Sequence, residues 1–353
     1  MQNYAAQILQ DLSTTFKDYQ SNPQIEENVI DLALGEIRLE YPEWLTNIIV
    51  HSSGHAPLGY VDTQGLLCLR QSYAHLLQEA LWTAFLYGLA PGATVLLPKV
   101  AWAPYFMWTK ALGARVEYYD PLAARLVDGI LACMRKYTPS VVVLNFPHNP
   151  TGAEISPQEM DQFLDEATET NALIISDEVY RDFAISGNTG SALQHFTRKK
   201  HSLISIDSVS KRFGLAGLRI GFLLADALLV KKLEGLRASF GSCVSPVTQS
   251  IADTLLRDPR SREWTKAIAA MSQEHILYTA RHLTQCGYTV ASSEAIYVWM
   301  LNQTRKTGST KASITIGSAV IKGTAGDLFG APGYLRLCPV RPFPILESAF
   351  SDS

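Results

Sequence analysis

The segment Ser202–Ala225, SLISIDSVSKRFGLAGLRIGFLLA, contains the residues on which a prediction of the fold depends. Its first five residues, Ser-Leu-Ile-Ser-Ile, intersperse polar with apolar side chains, which predicts a short buried strand. A second apolar run covers residues 220–225, and Gly214 and Gly217 indicate a turn between the two runs. Lys211 follows the first strand. A lysine there is equally compatible with a solvated surface position, so the wider pattern must decide its role.

That pattern is S-x-S-K-x-F-G-L-x-G-x-R-x-G, from Ser208 to Gly221. It resembles the lysine motif of the class I/II aminotransferases, which are enzymes of fold type I that depend on pyridoxal 5'-phosphate (PLP). The resemblance implies that Lys211 forms a Schiff base with PLP and takes the substrate's α-proton when it is released. It also implies that Ser208 and Arg219 hold the cofactor's phosphate, a dianion that needs several donors.

Composition narrows the class of protein. The 353 residues are 47% apolar and 18% charged, with a formal net charge of −3, which favours a globular chain and disfavours a nucleic-acid or anionic-membrane partner. The five cysteines are scattered singly, a distribution unlike that of zinc sites or disulfide frameworks. The chain shows neither a signal peptide nor an apolar run of the ~18 residues that a membrane helix needs. We therefore expect a cytoplasmic protein with reduced thiols.

Buried strands alternate with helices from about residue 50 to 230, which predicts an α/β fold with a mainly parallel sheet. The resemblance covers nearly the whole chain and implies the architecture of fold type I. A seven-stranded-type sheet is expected in a large PLP-binding domain, residues 46–235. A smaller α+β domain is expected from residues 1–45 and 236–353.

Two predicted strands end in polar residues. The apolar run 140–146 leads into Asn149 and the turn Pro-Thr-Gly, and the run 172–176 leads into Asp177. Open α/β sheets bind ligands at the carboxyl ends of their strands. The resemblance implies that Asp177 pairs with the pyridine nitrogen of PLP, and that Asn149 and Tyr180 hydrogen-bond its 3'-oxygen. It also implies that Asn149 contacts the substrate carboxylate. The alternatives are an ordinary loop at Asn149 and a helix N-cap at Asp177.

Near the N-terminus, Gly35-Glu36-Ile37-Arg38 departs from the family's usual pattern, which has Pro-Asp at Ile37 and Arg38. The resemblance implies that Gly35 brings the backbone close to the substrate carboxylate. Arg38, and with it Glu36, is then expected near the mouth of the substrate site, unless both are surface charges.

Three further residues match family positions. Tyr60 resembles the tyrosine that crosses a homodimer interface to the neighbouring cofactor phosphate, and Trp102 resembles the aromatic residue that stacks on the pyridine ring. Arg336 resembles the arginine that binds the substrate α-carboxylate as a bidentate fork. The competing interpretations are a core tyrosine, a core tryptophan and a surface arginine. The resemblance therefore implies a homodimer with a shared site.

One expected feature is missing. A helix is predicted to continue from Leu69 through Leu77, and Gln78 follows at once. The family has about twenty more residues there, including a strand and a Gly-rich turn whose helix N-terminus binds the phosphate. This chain lacks them.

The predicted activity is transamination of an L-amino acid. The alternative is a PLP-dependent cyclase or eliminase, because Glu36-Ile37-Arg38 and residues 145–150 resemble the same places in capreomycidine synthase-type enzymes. A third possibility, a non-catalytic ligand-binding domain of a transcription regulator, is disfavoured because the chain has no DNA-binding module. Acidic, aromatic and guanidino side chains of the substrate are all compatible with the sequence.

Overall fold

The fold was analysed in a computed structural model, which describes residues 29–57, 59–72, 75–76, 80–167, 170–195, 203–241, 243–302 and 311–351. The sequence also predicts a helix and then a polar connector within residues 1–30, of which residues 1–28 lie outside this part of the chain. Within these ranges two separate sheets form, and helices pack against both.

The larger sheet, in the described residues, has seven strands, which are β2 (His75–Leu76), β3 (Thr94–Pro98), β4 (Arg115–Tyr119), β5 (Val141–Asn145), β6 (Leu173–Asp177), β7 (Leu203–Ser208) and β8 (Gly221–Leu224). Their order is β2-β8-β7-β6-β5-β3-β4. The four pairings among β3 to β7 are parallel, and β8 is antiparallel to both its neighbours. The mainly parallel sheet is confirmed.

Both faces of this sheet are buried. Along β5, Val141 and Val143 belong to one apolar cluster, whereas Val142 and Leu144 belong to another on the opposite face. Successive side chains of a strand point to opposite faces, so a strand covered on both sides must be continuously apolar. This explains the unbroken apolar run of β5 and leaves polar residues only at the strand ends.

The edge strand β2 corrects the helix predicted to run through Leu77. That helix ends at Ser72, and His75 and Leu76 pair with Leu223 and Phe222 of β8. Short apolar runs do not distinguish helix from strand by periodicity, so pairing with β8 decides the outcome. The junction at Leu77–Gln78, where the Gly-rich turn was expected, lies outside the described residues.

The helices of the described residues cover the strand faces or link the two sheets. They are α1 (Glu43–Gly54), α2 (Leu67–Ser72), α3 (Ala80–Gly88), α4 (Ala103–Ala111), α5 (Leu126–Tyr137), α6 (Pro157–Ala167), α7 (Val209–Arg212), α8 (Ala227–Ala238), α9 (Pro246–Arg257), α10 (Arg260–Gln285) and α11 (Phe343–Phe350). Short 3₁₀ turns occur at Arg181–Phe183, Ala192–His195, Ala216–Leu218 and Gly326–Phe329. None of the described helices is both long enough and apolar enough to cross a bilayer.

The sequence predicts one helix over residues 233–240 and another, with a break, over residues 260–286, and the structure differs for both. α8 begins at Ala227 and not near Leu233, because the carboxylate of Asp226 caps it by accepting from the backbone N–H groups of Leu228 and Leu229 at 2.9 and 3.0 Å. α10 was expected to break but is continuous. From Ile268 to Leu283 its buried residues recur mostly every three or four positions, as one helix face requires.

The smaller sheet, among the described residues, consists of β1 (Val29–Asp31), β9 (Val290–Glu294), β10 (Tyr297–Leu301), β11 (Lys311–Ile316), β12 (Ala319–Ala325) and β13 (Tyr334–Leu337). The order is β1-β12-β13-β10-β9, with β11 paired to β12. The β11–β12 hairpin was missed. Residues 322–330 depart from the Pro-Gly-x-x-Phe-Gly pattern usual in the resembled family, which predicts a rearranged loop, but Lys322 lies inside β12 opposite Ser313.

Candidate active site

The polar strand ends of the larger sheet meet at one edge. Asn145 of β5 lies in register with Asp177 of β6. The Asn145 side-chain amide donates to the backbone carbonyl of Asp177 at 3.0 Å, and its oxygen accepts from the backbone N–H of Asn149 at 3.0 Å. Asn145 was given no role by sequence reasoning. It ties the loop that carries Asn149 to the strand that carries Asp177.

Asp177 is a buried carboxylate with an unusual partner. The hydroxyl of Tyr105, itself buried on α4, donates to its Oδ2. Burial raises the pKa of Asp177 to about 6, and the Tyr105 hydrogen bond opposes that rise. The N-cap alternative is wrong, because the 3₁₀ turn that follows begins at Arg181 and has Tyr180 at its cap position.

Asp177 is paired with no cation among the described residues. Its neighbour Glu178 has its own buried partners, among them Ser176 at 2.9 Å and Ser205 at 3.1 Å, and an ion pair with Arg181 at 3.2 Å. The two adjacent acids therefore have different roles. Glu178 is neutralised by the protein, and Asp177 is left for a positive charge from elsewhere.

Lys211 lies on α7, directly after β7, and its side chain is partly buried. Its Nζ donates a hydrogen bond to the carbonyl oxygen of Gly35. Burial lowers the pKa of the amine to about 8, and the nearby Arg336 guanidinium adds to this effect. A substantial fraction of the amine is therefore neutral near physiological pH, as a nucleophile or base must be.

Ser208 and Arg219 lie beside Lys211. The Ser208 hydroxyl is 2.6 Å from the carbonyl oxygen of Ile220 and 2.8 Å from the hydroxyl of Ser210. Arg219 is solvent-exposed and has a left-handed backbone with φ of 52°. One of its guanidinium nitrogens donates to the carbonyl oxygen of Ala216 at 3.1 Å. The β7–β8 connection thus brings two hydroxyls and one cation to the strand end that presents the lysine.

Arg336 is buried on β13, so the surface-arginine alternative is wrong. Its Nη1 donates to Asn149 Oδ1 at 2.9 Å, and Nη2 donates to the carbonyl oxygen of Ala33 at 2.9 Å. The guanidinium lies 4.6 Å from the ring centre of Tyr297 and 4.8 Å from that of Phe329. Its Nε has no acceptor within the described ranges. This buried N–H remains available to an incoming anion.

Tyr180 and Gly35 meet at Tyr297 of β10, a residue that sequence reasoning missed. The hydroxyls of Tyr180 and Tyr297 are 2.6 Å apart, and the Asn149 amide nitrogen lies 3.5 Å from the Tyr180 hydroxyl. A Cβ atom on Gly35 would fall 2.5 Å from the Tyr297 hydroxyl, so only glycine fits there. Gly35 therefore allows the backbone to approach both Tyr297 and Lys211.

Glu36 and Arg38 form an ion pair at 3.0 Å and are both about one-third exposed. Glu36 is close enough to Lys211 to raise the pKa of that amine, against the larger effect of burial. Burial and the neighbouring Arg341 lower the pKa of Arg38. Both charges are thus partly exposed, and Glu36 is also near the lysine. The two interpretations made from the sequence are not exclusive.

Trp102 and Tyr60 lie at the margins of the cluster. Trp102 immediately precedes α4 and packs edge-on against Tyr105 at 5.5 Å, so it adjoins the partner of Asp177. Tyr60 is 90% exposed and contributes nothing to this chain's core, so the core-tyrosine alternative is wrong.

Sequence reasoning missed Tyr105, Asn145 and Tyr297. Tyr105 and Asn145 lie within segments that were compared with the family, and each is one polar residue in an apolar context, which was the available signal. Tyr297 had no such signal, since a tyrosine in an apolar strand is typical of a core.

Comparison with known proteins assigns the chain to a family. The family model described as "Aminotransferase class I and II" matches residues 27–342, most of the sequence. The chain belongs to the class I and II aminotransferases.

Relatives of this aminotransferase include the aromatic-amino-acid aminotransferase 2 of Thermococcus litoralis and an aspartate aminotransferase of Pyrococcus abyssi. The first is 24% identical over 351 residues and the second 25% over 354, and each alignment covers 92% of this chain and 90% of the relative. The crystal structure of the Thermus thermophilus aspartate aminotransferase with maleate superposes with a TM-score of 0.82 at 18% identity, covering 98% of this chain and 95% of that one. That likeness shows the fold, which is fold type I.

The activity is therefore PLP-dependent transamination. The relatives described above are aminotransferases, and nothing in the comparisons favours the cyclase alternative. The ligand-binding regulator is likewise excluded, because the family is one of enzymes.

The residues present fit the cofactor. Asp177 is a buried carboxylate without a cation among the described residues, and the protonated pyridine nitrogen of PLP would supply one. The partly neutral amine of Lys211 suits the cofactor's aldehyde. The free Nε of Arg336 suits a substrate carboxylate.

Proposed function

We propose that this aminotransferase acts on an L-amino acid at the cluster formed by Lys211, Asp177, Tyr180, Asn149 and Arg336. The observation that carries the assignment is that two buried charged side chains of the cluster each lack, among the described residues, a partner for one charge or hydrogen bond. Asp177 is buried without a cation, and Arg336 Nε is buried without an acceptor, within the described residues. A cationic ring and a carboxylate ligand would satisfy both.

When bound, PLP supplies an electron-withdrawing ring that stabilises negative charge at the substrate's α-carbon. Asp177 would keep the ring protonated, and Tyr105 would hold the Asp177 carboxylate in place by its hydrogen bond. Lys211 would hold the cofactor's aldehyde carbon in the resting enzyme. Once a substrate amine displaces it, the Lys211 amine, with its pKa lowered to about 8, would accept the α-proton.

The substrate's α-carboxylate would bind Arg336, with Asn149 holding the guanidinium at 2.9 Å. Gly35 brings the backbone close to this carboxylate site, and the Tyr297 hydroxyl occupies the space that a Cβ of residue 35 would need. Glu36 lies at the mouth of the site through its ion pair with Arg38, and we assign it to the recognition of the substrate side chain.

Ser208 and Arg219 are proposed to bind the cofactor phosphate, with Trp102 against the ring and Tyr180 on its 3'-oxygen. Tyr60, 90% exposed on this chain, is proposed to reach the phosphate of a neighbouring subunit, so the active enzyme would be a homodimer in the cytoplasm. The arrangement of the sheets supports large-domain bounds of 46–235, with 1–45 and 236–353 in the small domain, because the smaller sheet draws on residues 29–31 and 290–337 alone.

The test is a visible absorbance spectrum of the purified protein after addition of PLP. We expect a Schiff-base band that Lys211→Ala abolishes and that the exposed-lysine control Lys232→Ala retains. Addition of aspartate, aromatic or guanidino amino acids should convert the band to the pyridoxamine form, with release of a keto acid for the preferred substrate. A band that survives Lys211→Ala would refute the lysine assignment.

The homodimer has a separate test. Tyr60→Phe should weaken PLP binding without changing the fold, because the residue packs against nothing in its own core. Sedimentation shows whether two chains associate. An unchanged PLP affinity would argue against the shared site.

A further inference from the structure

Tyr297 touches three residues of the proposed site although no role has been assigned to it. It is 1% exposed on β10. Its hydroxyl lies 2.6 Å from the Tyr180 hydroxyl, its ring lies 4.6 Å beneath the Arg336 guanidinium, and its hydroxyl occupies the space where a Cβ of Gly35 would be. A residue held this closely by Tyr180, Arg336 and Gly35 cannot move independently of them.

The two phenols share one hydrogen bond. Each carries a single O–H proton, and only one proton can occupy the 2.6 Å contact. Among the described residues the only hydrogen-bond acceptor of the Tyr297 proton is Tyr180, and the reverse also holds. If Tyr297 donates, the Tyr180 proton is free. If Tyr180 donates, the Tyr297 proton is a buried donor without a partner, which is costly.

A cofactor oxygen next to Tyr180 would determine the direction of the hydrogen bond between the two phenols. With that acceptor present, both protons are satisfied when Tyr297 donates to Tyr180 and Tyr180 donates to the cofactor. The pKa values of the two phenols support this order. Burial raises the pKa of Tyr180 well above its usual value and that of Tyr297 only to about 12, while the Arg336 guanidinium opposes the rise in pKa of both phenols, so Tyr297 is the stronger donor.

We propose that Tyr297 is a positioning residue: its hydroxyl donates to the Tyr180 hydroxyl and thereby directs the Tyr180 proton onto the 3'-oxygen of PLP. This inference rests on the proposed function, which places Tyr180 at that oxygen. Tyr297 acts through Tyr180 and does not touch the reacting atoms. A donor that itself accepts a hydrogen bond is strengthened, because such bonds polarise one another.

The test is the pH titration of the visible band of the PLP-loaded enzyme without substrate. Loss of the Schiff-base proton leaves negative charge on the 3'-oxygen, and an O–H donor stabilises that form. Tyr180→Phe should therefore raise the midpoint of the titration. Tyr297→Phe should raise it in the same direction by a smaller amount, about 0.4 to 1 pH unit, the equivalent of one ordinary hydrogen bond.

The double variant Tyr180→Phe/Tyr297→Phe shows whether Tyr297 affects the titration through Tyr180 or independently of it. If Tyr297 acts through Tyr180, the double variant should titrate like Tyr180→Phe alone. The matched control is Tyr119→Phe, which removes another buried phenol hydroxyl, one that donates to the carbonyl oxygen of Val143 at 3.0 Å. It should leave the midpoint unchanged.

A lowered midpoint in Tyr297→Phe would show that Tyr180 had donated to Tyr297, and an unchanged one would show no coupling. Either result overturns the inference while the band itself upholds the proposed function. A wild-type protein with no titrating band would refute both. Should Tyr297→Phe fail to fold, 3-fluorotyrosine incorporated at Tyr297 keeps the shape and makes the phenol more acidic, so the midpoint should fall. A rise or no change there would overturn the inference.

Discussion

Arg336 Nη1 donates to Asn149 Oδ1 at 2.9 Å, and this bond joins the smaller sheet to the loop that follows β5 of the larger one. The two residues are 187 positions apart in the sequence. The proposed carboxylate site exists only when both sheets are folded and packed together.

Arg336→Lys tests this contact. Lysine keeps the positive charge but loses the planar fork, so it cannot bond Asn149, the Ala33 carbonyl and a substrate carboxylate together. We expect the KM for the amino acid to rise by about 10-fold or more, because the loss of one charge-assisted hydrogen bond weakens binding by about that factor. The change in kcat should be smaller. Steady-state kinetics measure this. Arg135→Lys on the exposed face of α5 is the control, and equal effects in both variants would contradict the assignment.

Gly35→Ala tests the close approach at the site. The new Cβ would lie 2.5 Å from the hydroxyl of a buried tyrosine and must displace it. We expect a loss of about 1 to 3 kcal/mol in the free energy of unfolding, as for other overpacked cores. Gly129→Ala, on a helix with open space around it, should instead be neutral or stabilising by about 0.5 to 1 kcal/mol. Urea denaturation compares the two, and similar losses in both would refute the steric explanation.

Asp177 predicts a pH dependence of cofactor binding. Its pKa in the free protein is raised to about 6 by burial, so protonation below that pH removes the charge that pairs with the pyridine ring. PLP affinity should therefore fall as the pH drops through 6, by at most about tenfold per unit.

The cofactor phosphate also titrates near that pH, so the comparison with Asp177→Asn isolates the carboxylate. Equilibrium dialysis at several pH values should show the Asp177-dependent loss only in the wild type. The variant should also lose at least about 100-fold in kcat/KM. An identical pH profile in both proteins would assign the dependence to the phosphate.

The lowered pKa of Lys211 predicts that its buried amine destabilises the cofactor-free protein. Its pKa is about 8 in the folded chain and 10.5 ordinarily, so the unfolded chain binds the proton more tightly. The resulting decrease in the free energy of unfolding is largest below pH 8, becomes smaller between pH 8 and 10.5, and is absent above that range. Lys211→Met should therefore stabilise the free protein near neutral pH, by at most about 3 kcal/mol because the amine keeps some solvent access.

Urea unfolding of the free protein at about pH 7 and at about pH 10 measures this effect, which should be smaller at the higher pH. Lys232→Met on the surface of α8 is the control. A Lys211→Met variant that is less stable than the wild type at neutral pH would show that the amine is not strained by burial.

The sequence by itself determined the family, the mainly parallel sheet and the approximate bounds of a few of the described helices. Local information suffices for these. The motif around Lys211 is contiguous, buried parallel strands are continuously apolar, and residues such as Asp177 mark the ends of such strands. The apolar periodicity of residues 126–137 predicts a helix there, and the structure has it at Leu126–Tyr137.

Only the tertiary structure decided which residues become neighbours. The edge strand His75–Leu76 exists because β8 offers it backbone partners, which no local pattern reports. Tyr105 and Tyr297 are aromatic residues in apolar segments until folding places their hydroxyls on Asp177 and Tyr180. The reason is physical: a hydrogen bond between residues 72 or 117 positions apart depends on how helices and sheets pack, and the pattern along the chain records only which faces are apolar.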